Sequence, residues 1–524
     1  GLKNLNATLY RANDNSLNLR ATEYLTYDRT FGKHGVKVMV GYEASKGDGY
    51  SLNLSNTGGF YFTEPHSFGV ALNPSGINGG GNYNIASRTI AQFGRLNYSF
   101  AGKYLLTANI RRDGSSDFGP DKRYGVFPGV SAAWRISEES FMKNNLPFIS
   151  NLKLRAGYAL TGNTGGVGSY NYISNYVSGS NANSYYTFDN TASGIVSGIA
   201  VGRFPNQNIS WETVKQTNFG LDFGFLEGKL TGSVDYYIKK TENMIYPVPV
   251  SVMTGVGAPN AFVQNVNTNI GTMENKGVDI TLGYNKKAGD FSYGIGFIAG
   301  FFKNKITKLS LSSNYFYNGY YGIDGMPGGI CRTEVGQPMA QFYGYEVDHI
   351  RQAGESYTVH AFNDPQAGDF IYRDLDGNDT INAKDRTVLG SPYPKMTYGI
   401  SLSASYKGFD LNVFFDGVYG VDIYDATTPI YQSFFNDYNA TYDIEGYWTP
   451  TNQGASKPRL VYGDPSGNLK TISSYLVQKG DYLKLRSLQI GYSFPLEIIS
   501  KVGISKARVF LAGQNLFTIS SYKG

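Results

Sequence analysis

Four times the chain runs strand-like residues into a glycine turn of two or three residues and out into a second strand-like run. These are YSF-AGK-YLL around Gly102, GFL-EGK-LTG around Gly228, NKK-AGD-FSY around Gly289 and ASY-KG-FDL around Gly408. Between the tight joints lie excursions rich in Gly and Asn, at roughly 45–87, 161–210, 241–266, 307–393 and 420–478. Soluble sheet proteins keep their links short at both ends of the strands. Alternation of short turn and long loop belongs to transmembrane barrels, whose two ends face different compartments. The expected fold is therefore all-β, a transmembrane antiparallel β-barrel with short periplasmic turns and long extracellular loops. The turns also set the parity of the wall. They make 307–393 one large extracellular excursion, and they put strand-like Gln341–Val347 in folded loop structure rather than in the wall.

Period two runs through the strands themselves. In Tyr104–Arg111 the set Tyr104, Leu106, Ala108 and Ile110 opposes Leu105, Thr107, Asn109 and Arg111. Leu152, Leu154, Ala156 and Tyr158 oppose Lys153 and Arg155, and Phe219, Leu221, Phe223 and Phe225 oppose Asn218, Gly220, Asp222 and Gly224. Ile400, Leu402, Ala404 and Tyr406 oppose three serines. One polar and one apolar face means a half-exposed strand. In a barrel of large bore the apolar face meets lipid and the polar face lines a wet lumen. Leu106, Leu154, Phe223, Val234 and Leu402 are thus expected toward lipid, and Lys153, Arg155, Asn218, Ser403 and Ser405 toward the lumen.

Composition agrees. Charged residues make up 17% of the 524 residues, against roughly 25% in soluble domains. Tyr (43), Phe (32) and Gly (65) take their place, and aromatic girdles at the two membrane interfaces would use many of the tyrosines. Trp134 and Trp211, each beside a strand run, are girdle candidates. No apolar run approaches the ~18 residues of a transmembrane helix, which leaves a barrel open because its strands are only half apolar. A formal charge of +5 without a basic stripe gives no case for nucleic acid. The lone Cys331 excludes an intrachain disulfide framework. No signal peptide stands at residue 1, and both ends read as cuts in a longer protein. No Ser-His-Asp set, acid pair or phosphate loop stands out, and His34, His66, His349 and His360 lack ligand spacing, so the chain is not expected to be an enzyme.

One run carries metal chemistry. From Asp374 to Asp385 the oxygen-bearing residues Asp374, Asp376, Asn378, Thr380 and Asp385 fall at positions 1, 3, 5, 7 and 12, with apolar Ile381 at position 8. That is the ligand spacing of an EF-hand loop, Thr380 contributing its backbone carbonyl. Position 6 is Asp379 rather than Gly, position 12 is Asp rather than Glu, and helical flanks are missing. The run is either a structural Ca2+ site that stiffens an outside loop or an Asp/Asn turn cluster.

Several longer phrases then occur in order: RRDGSSDFG (111–119), GVFPGVSAAWRISEE (125–139), LKLRAGY (152–158), TGN (161–163), Gly368-Asp369-Phe370, DRTVLG (385–390), YLKLRSLQIGY (482–492) and Gln514-Asn515-Leu516-Phe517. Together they resemble the barrel of the SusC/RagA family of TonB-dependent outer-membrane transporters of Bacteroidetes, over nearly the whole chain. The resemblance implies a sector of a 22-stranded barrel with a plugged lumen, in the outer membrane of the cell and surrounded by its lipid. The N-terminal plug, the first strands and the final strand or strands would lie outside residues 1–524. It implies a SusD-like surface lipoprotein as lid, energy from TonB, ExbB and ExbD, and import of an oligosaccharide, or alternatively a peptide; a passive porin or structural barrel is the remaining reading. Tyr315, Phe316, Tyr317, Tyr320 and Tyr321 form the densest aromatic stretch, and Phe434, Phe435 and Trp448, with Tyr431, Tyr438 and Tyr447, a second. Such rigid, half-polar surface suits cargo or the lid protein, or it packs the loops.

Overall fold

The computed structural model describes residues 8–57, 76–178, 185–187, 195–250, 253, 265–311, 313–319, 329–431 and 445–522. Fourteen long strands form one sheet in chain order. They are β1 Thr8–Phe31, β2 His34–Thr57, β3 Ile77–Phe100, β4 Tyr104–Ser115, β5 Tyr124–Arg135, β6 Ile149–Asn163, β7 Glu212–Phe225, β8 Leu230–Pro249, β9 Asn265–Ala288, β10 Phe291–Leu309, β11 Met396–Tyr406, β12 Phe409–Tyr419, β13 Tyr482–Ser493 and β14 Arg508–Ser520. The ladders β1 to β4 and β9 to β14 are antiparallel throughout. Among the described residues no helix is long and apolar enough to cross a membrane.

Connections alternate as expected. Along the chain the connections 32–33, 101–103, 136–148, 226–229, 289–290, 407–408 and 494–507 take turns with 58–76, 116–123, 164–211, 250–264, 310–395 and 420–481. The tightest joints need left-handed backbone. At 407–408 both Lys407 (φ 44°) and Gly408 (φ 91°) are positive, the twist that a two-residue hairpin turn requires. Two expectations are corrected. A fifth tight turn, at Gly32, joins β1 and β2. The supposed excursion 45–87 is mostly wall, because β2 runs to Thr57 and β3 starts at Ile77. Polar residues in a strand that rises beyond a hydrocarbon layer read like loop.

The chain divides into two compact units. The first comprises Gly1–Ala132, Gly157–Lys215 and Thr241–Ile270. Here register collects Leu25, Val40, Gly94 and Ile110 in one row and Tyr27, Val38, Leu96 and Ala108 in the next, with all the large ones exposed. The opposite face holds Glu43, which accepts hydrogen bonds from Arg20 (2.5 Å) and Arg111 (3.1 Å), while Arg111 also donates to Asp113 at 2.7 Å. Phe118, Val167 and Ile209 form a small buried core beside which Trp211 stacks on Phe118 at 4.8 Å. Trp211 also donates to the Arg123 carbonyl, so it packs connection 116–123 and is not the girdle residue expected.

The second unit comprises Ala133–Ala156, Gln216–Lys240 and Gly271–Gly524. Ile295, Leu402, Val413 and Leu488 share one row; Gly294, Ser403, Asn412 and Gln489 share a row of the other face. Ser292 and Ser405 are hydrogen bonded there at 2.6 Å. Leu402 and Ser403 therefore point to opposite sides, in the pattern read from period two.

Connections 310–395 and 420–481 fold together into a module with its own core. Ile330, Cys331, Ala340 and Phe342 from the first pack with Ile472 from the second. Ile350, Phe370, Tyr372 and Ile381 pack with Trp448. Gln341–Tyr345 lies in a four-stranded sheet with Tyr315–Asn318, Cys331–Glu334 and Arg386–Gly390, which supplies the loop strand anticipated at 341–347 with its partners.

Candidate functional site

The four-stranded sheet of the module has two different faces because strand side chains alternate. Cys331 and Phe342 turn to the core. The other face carries Tyr315, Tyr317, Arg332 and Tyr343. The Arg332 guanidinium lies 4.1 Å from the Tyr315 ring centre and 4.5 Å from that of Tyr343, and Arg386 lies 5.1 and 5.2 Å from Tyr317 and Tyr343. Such stacking holds the tyrosines upright, each contact contributing about 0.5–1 kcal/mol at an exposed site. Tyr315 and Tyr317 remain exposed. Phe316, opposite Thr333, is half-buried on the other face. Tyr320, Tyr321, Phe434, Phe435 and Tyr438 lie outside the described residues. Sequence reasoning missed Arg332 and Arg386, whose signal was an Arg at the strand position that faces a Tyr.

Trp448, expected at a contact surface, is a core residue. It is 6% exposed, and its indole N–H donates to Gln352 Oε1 at 3.1 Å. The reason lies in Gly368, whose φ of 93° and missing side chain leave room for the indole face. Next in chain, Asp369 is buried and accepts a two-pronged pair from Arg459 (2.7 and 3.1 Å) and a bond from Asn468 at 2.8 Å. Burial opposes its charge, but those bonds outweigh it and hold the carboxyl below the usual range. Phe370 completes the core. The Gly368-Asp369-Phe370 phrase thus ties the two long connections together.

In the Asp374–Asp385 run, carboxylate oxygens of Asp374, Asp376 and Asp385 lie within 4.8 Å of one another. Asp374 accepts the backbone N–H groups of Gly377 (2.7 Å), Asn378 (3.3 Å) and Asp379 (2.7 Å). Fully buried Asp385 accepts those of Leu375 (2.8 Å), Asp376 (3.4 Å) and Asn382 (2.8 Å). Asn378 donates to Asp376 and accepts from the Thr380 N–H. Two carboxylates therefore already shape the backbone, and the all-oxygen set fits a hard divalent cation. Ile381, at position 8, pairs in a short parallel ladder with His360. His360 is buried against Phe362 and Tyr372, bonds Asn363 through Nδ1, and has no partner for Nε2 among the described residues. On the surface nearby, His349 sits between Asp348 and Glu355, 2.8 Å from each.

The wall contributes a charged cluster of its own. Arg155 on β6 binds Asp222 on β7 through two bonds (2.9 and 2.7 Å) and Asp235 on β8 at 3.0 Å, with Lys153 3.4 Å from Asp222. Lys153 and Arg155 share the polar face read from alternation.

A family model described as "TonB dependent receptor-like, beta-barrel" matches residues 2–516. The chain is 32% identical to TonB-dependent receptor P3 of Formosa agariphila over 97% of its own length and 49% of that protein. It is 28% identical to TonB-dependent receptor SusC of Bacteroides thetaiotaomicron, over 97% of this chain and 47% of that one. The chain thus spans about half the length of the curated relatives it matches. Its fold matches a structure described as the RagAB peptide transporter, with a TM-score of 0.79 at 24% identity, over 99% of this chain and 53% of that one.

Proposed function

Because the chain belongs to the TonB-dependent outer-membrane transporters of the SusC/RagA type, we propose that it is the barrel part of an energised importer of a bulky nutrient. The single observation that carries this is the family match over residues 2–516. Energy would come from TonB, ExbB and ExbD through a plug and TonB-contact segment of the kind the resemblance implies. A SusD-like lipoprotein would close the outer mouth over the loop module. Transport of this kind breaks no bond in the cargo.

Peptide takes first place as cargo, ahead of the oligosaccharide expected from sequence. The support is that the structures sharing this fold at TM-scores of 0.76–0.79 are described as a peptide transporter or importer. Tyr315 and Tyr317, held by Arg332 and Arg386, are the described residues proposed for contact with cargo or lid; Tyr320, Tyr321, Phe434 and Phe435 are proposed to extend that surface, and Phe316, on the other face, is not part of it. For the Asp374 loop we propose one structural Ca2+, with Asp374, Asp376, Asn378, the Thr380 carbonyl and Asp385 as ligands, supplying rigidity to the loop and nothing to transport chemistry. The test is uptake of labelled peptides and labelled oligosaccharides by cells with and without TonB. Peptide uptake that needs TonB supports the reading, oligosaccharide uptake alone reverses the cargo order, and uptake that survives loss of TonB leaves a passive porin.

A further inference from the structure

In the second unit, two connections on the short-turn side carry a helical turn: 136–148 with Ser140–Asn145, and 494–507 with Leu496–Ile499. Each is pinned by one buried residue, Met142 in the first and Ile499 in the second. Around these pins the large apolar side chains are open: Phe141 is 53% exposed, Phe148 55%, and Leu496 and Ile498 each 60%. Water does not favour such a concentration in two short turns, and exposed apolar patches mark an interaction surface.

Their surroundings identify the occupant. Phe494 meets Tyr492 edge-on with ring centres 5.2 Å apart, and Tyr492 lies 4.6 Å from Phe409. Phe409 stands opposite Tyr406, and Tyr406 opposite Phe291. This aromatic row is the short-turn end of the apolar face that carries Leu402. In the other connection Phe148 stacks on Phe225 at the end of β7, at 6.4 Å. Phe494 and Phe148 thus join the two turns to the apolar face of the wall, the face that in a barrel meets lipid. Trp134, on the face of β5 that exposes Val126 and Val130, donates its indole N–H to Glu139 in the first turn, an apolar ring with a polar tip of the kind that suits a headgroup boundary.

We propose that these two turns are membrane-surface anchors, with Phe141, Phe148, Leu496 and Ile498 seated at the boundary between headgroups and acyl chains of the periplasmic leaflet, and phospholipid as the occupant. Amphipathic turns bury an apolar side about 5–10 Å into that boundary. The inference rests on the outer-membrane reading, and the test separates the two.

Nitroxide labels would be placed on the full-length protein in phospholipid nanodiscs, through Phe141→Cys, Leu496→Cys, Ile498→Cys, Glu497→Cys and Leu402→Cys. Collision with oxygen, which concentrates in lipid, would be compared with collision with a water-soluble nickel chelate. The expected result is oxygen-dominated collision at Phe141, Leu496, Ile498 and Leu402, and nickel-dominated collision at Glu497. Nickel-dominated collision at Phe141, Leu496 and Ile498 with oxygen-dominated collision at Leu402 would overturn the anchors and leave the barrel standing. Shielding of the turn positions from both reagents would assign them to a protein contact and also overturn the proposal. Nickel-dominated collision at Leu402 would defeat the barrel reading itself. The turn positions are more than half exposed, so the labels disturb no packing.

Discussion

The guanidinium of Arg155 lies over the bare backbone of Gly220. A Cβ at Gly220 would come within 2.7 Å of Arg155 Cζ and 2.5 Å of Asp235 Oδ1. Glycine on β7 is thus what lets an arginine on β6 reach an aspartate on β8. Gly220→Ala is expected to destabilise the protein by about 1–3 kcal/mol, the usual cost of overpacking. The penalty should shrink in an Arg155→Met background, because the displaced side chain is then uncharged and has no partner to lose. A double-mutant cycle read by urea unfolding of the full-length protein measures this coupling. Strict additivity would show that the contact carries no energy.

Two histidines of the loop module are expected to titrate in opposite directions. Burial works against charge on His349, but the hydrogen bonds and charges of Asp348 and Glu355 raise its pKa above the ordinary 6.5. Burial lowers that of His360, against weaker upward pulls from Asn363, Asp369 and Asp364. The stability owed to His349 is fully present below its ordinary value and is lost as pH rises through the raised one. That owed to neutral His360 is present above the ordinary value and is lost as pH falls through the lowered one. Residue-resolved exchange of the imidazole C2 proton, followed by mass spectrometry from pH 4 to 9, should give the two values on either side of 6.5. Coincident values would contradict the placement of His360 in the core.

Much of this was legible in the sequence because it is local. A glycine turn of two residues and a period of two are written within ten residues of chain, and they carry the sheet order and the opposite facing of Leu402 and Ser403. The far halves of β2 and β3 escaped because their residues, at 45–57 and 77–87, are polar and read as loop. The module escaped because its contacts are distant in sequence: Ile472 packs with Phe342, and Trp448 sits over Gly368. Trp448 read as surface because aromatic density looks the same whether it is displayed or packed. The Asp374 spacing was legible in full, yet the backbone N–H groups that Asp374 and Asp385 collect depend on how the loop curls.

Cys331 should be chemically silent in the folded protein. It is buried in the module core, and burial pushes its thiol up to about 11. The thiolate is the reactive form, so maleimide at pH 7.5 is expected to leave Cys331 unmodified in the native protein and to modify it fully in denaturant, as read by peptide mapping. Rapid native labelling would mean that the core formed by Ile330, Phe342 and Ile472 opens readily.

The Asp374 loop separates a metal ligand from a backbone anchor. Asp374 and Asp385 each accept three backbone N–H groups, so replacing either with Ala strands those donors and should cost about 1–3 kcal/mol whether or not a metal binds. Asp376 is different. Its described side-chain bond is the one from Asn378, and its carboxylate joins the other two within 4.8 Å. Limited proteolysis of the full-length protein in millimolar Ca2+ or in chelator reads the distinction. In the wild type, Ca2+ should slow cleavage within 374–385 several-fold. In Asp376→Ala the chelator pattern should be unchanged and the Ca2+ protection lost, because that side chain is needed to hold the ion and not to shape the loop. Equal cleavage of the wild type with and without Ca2+ would leave the run a turn cluster held by its own aspartates.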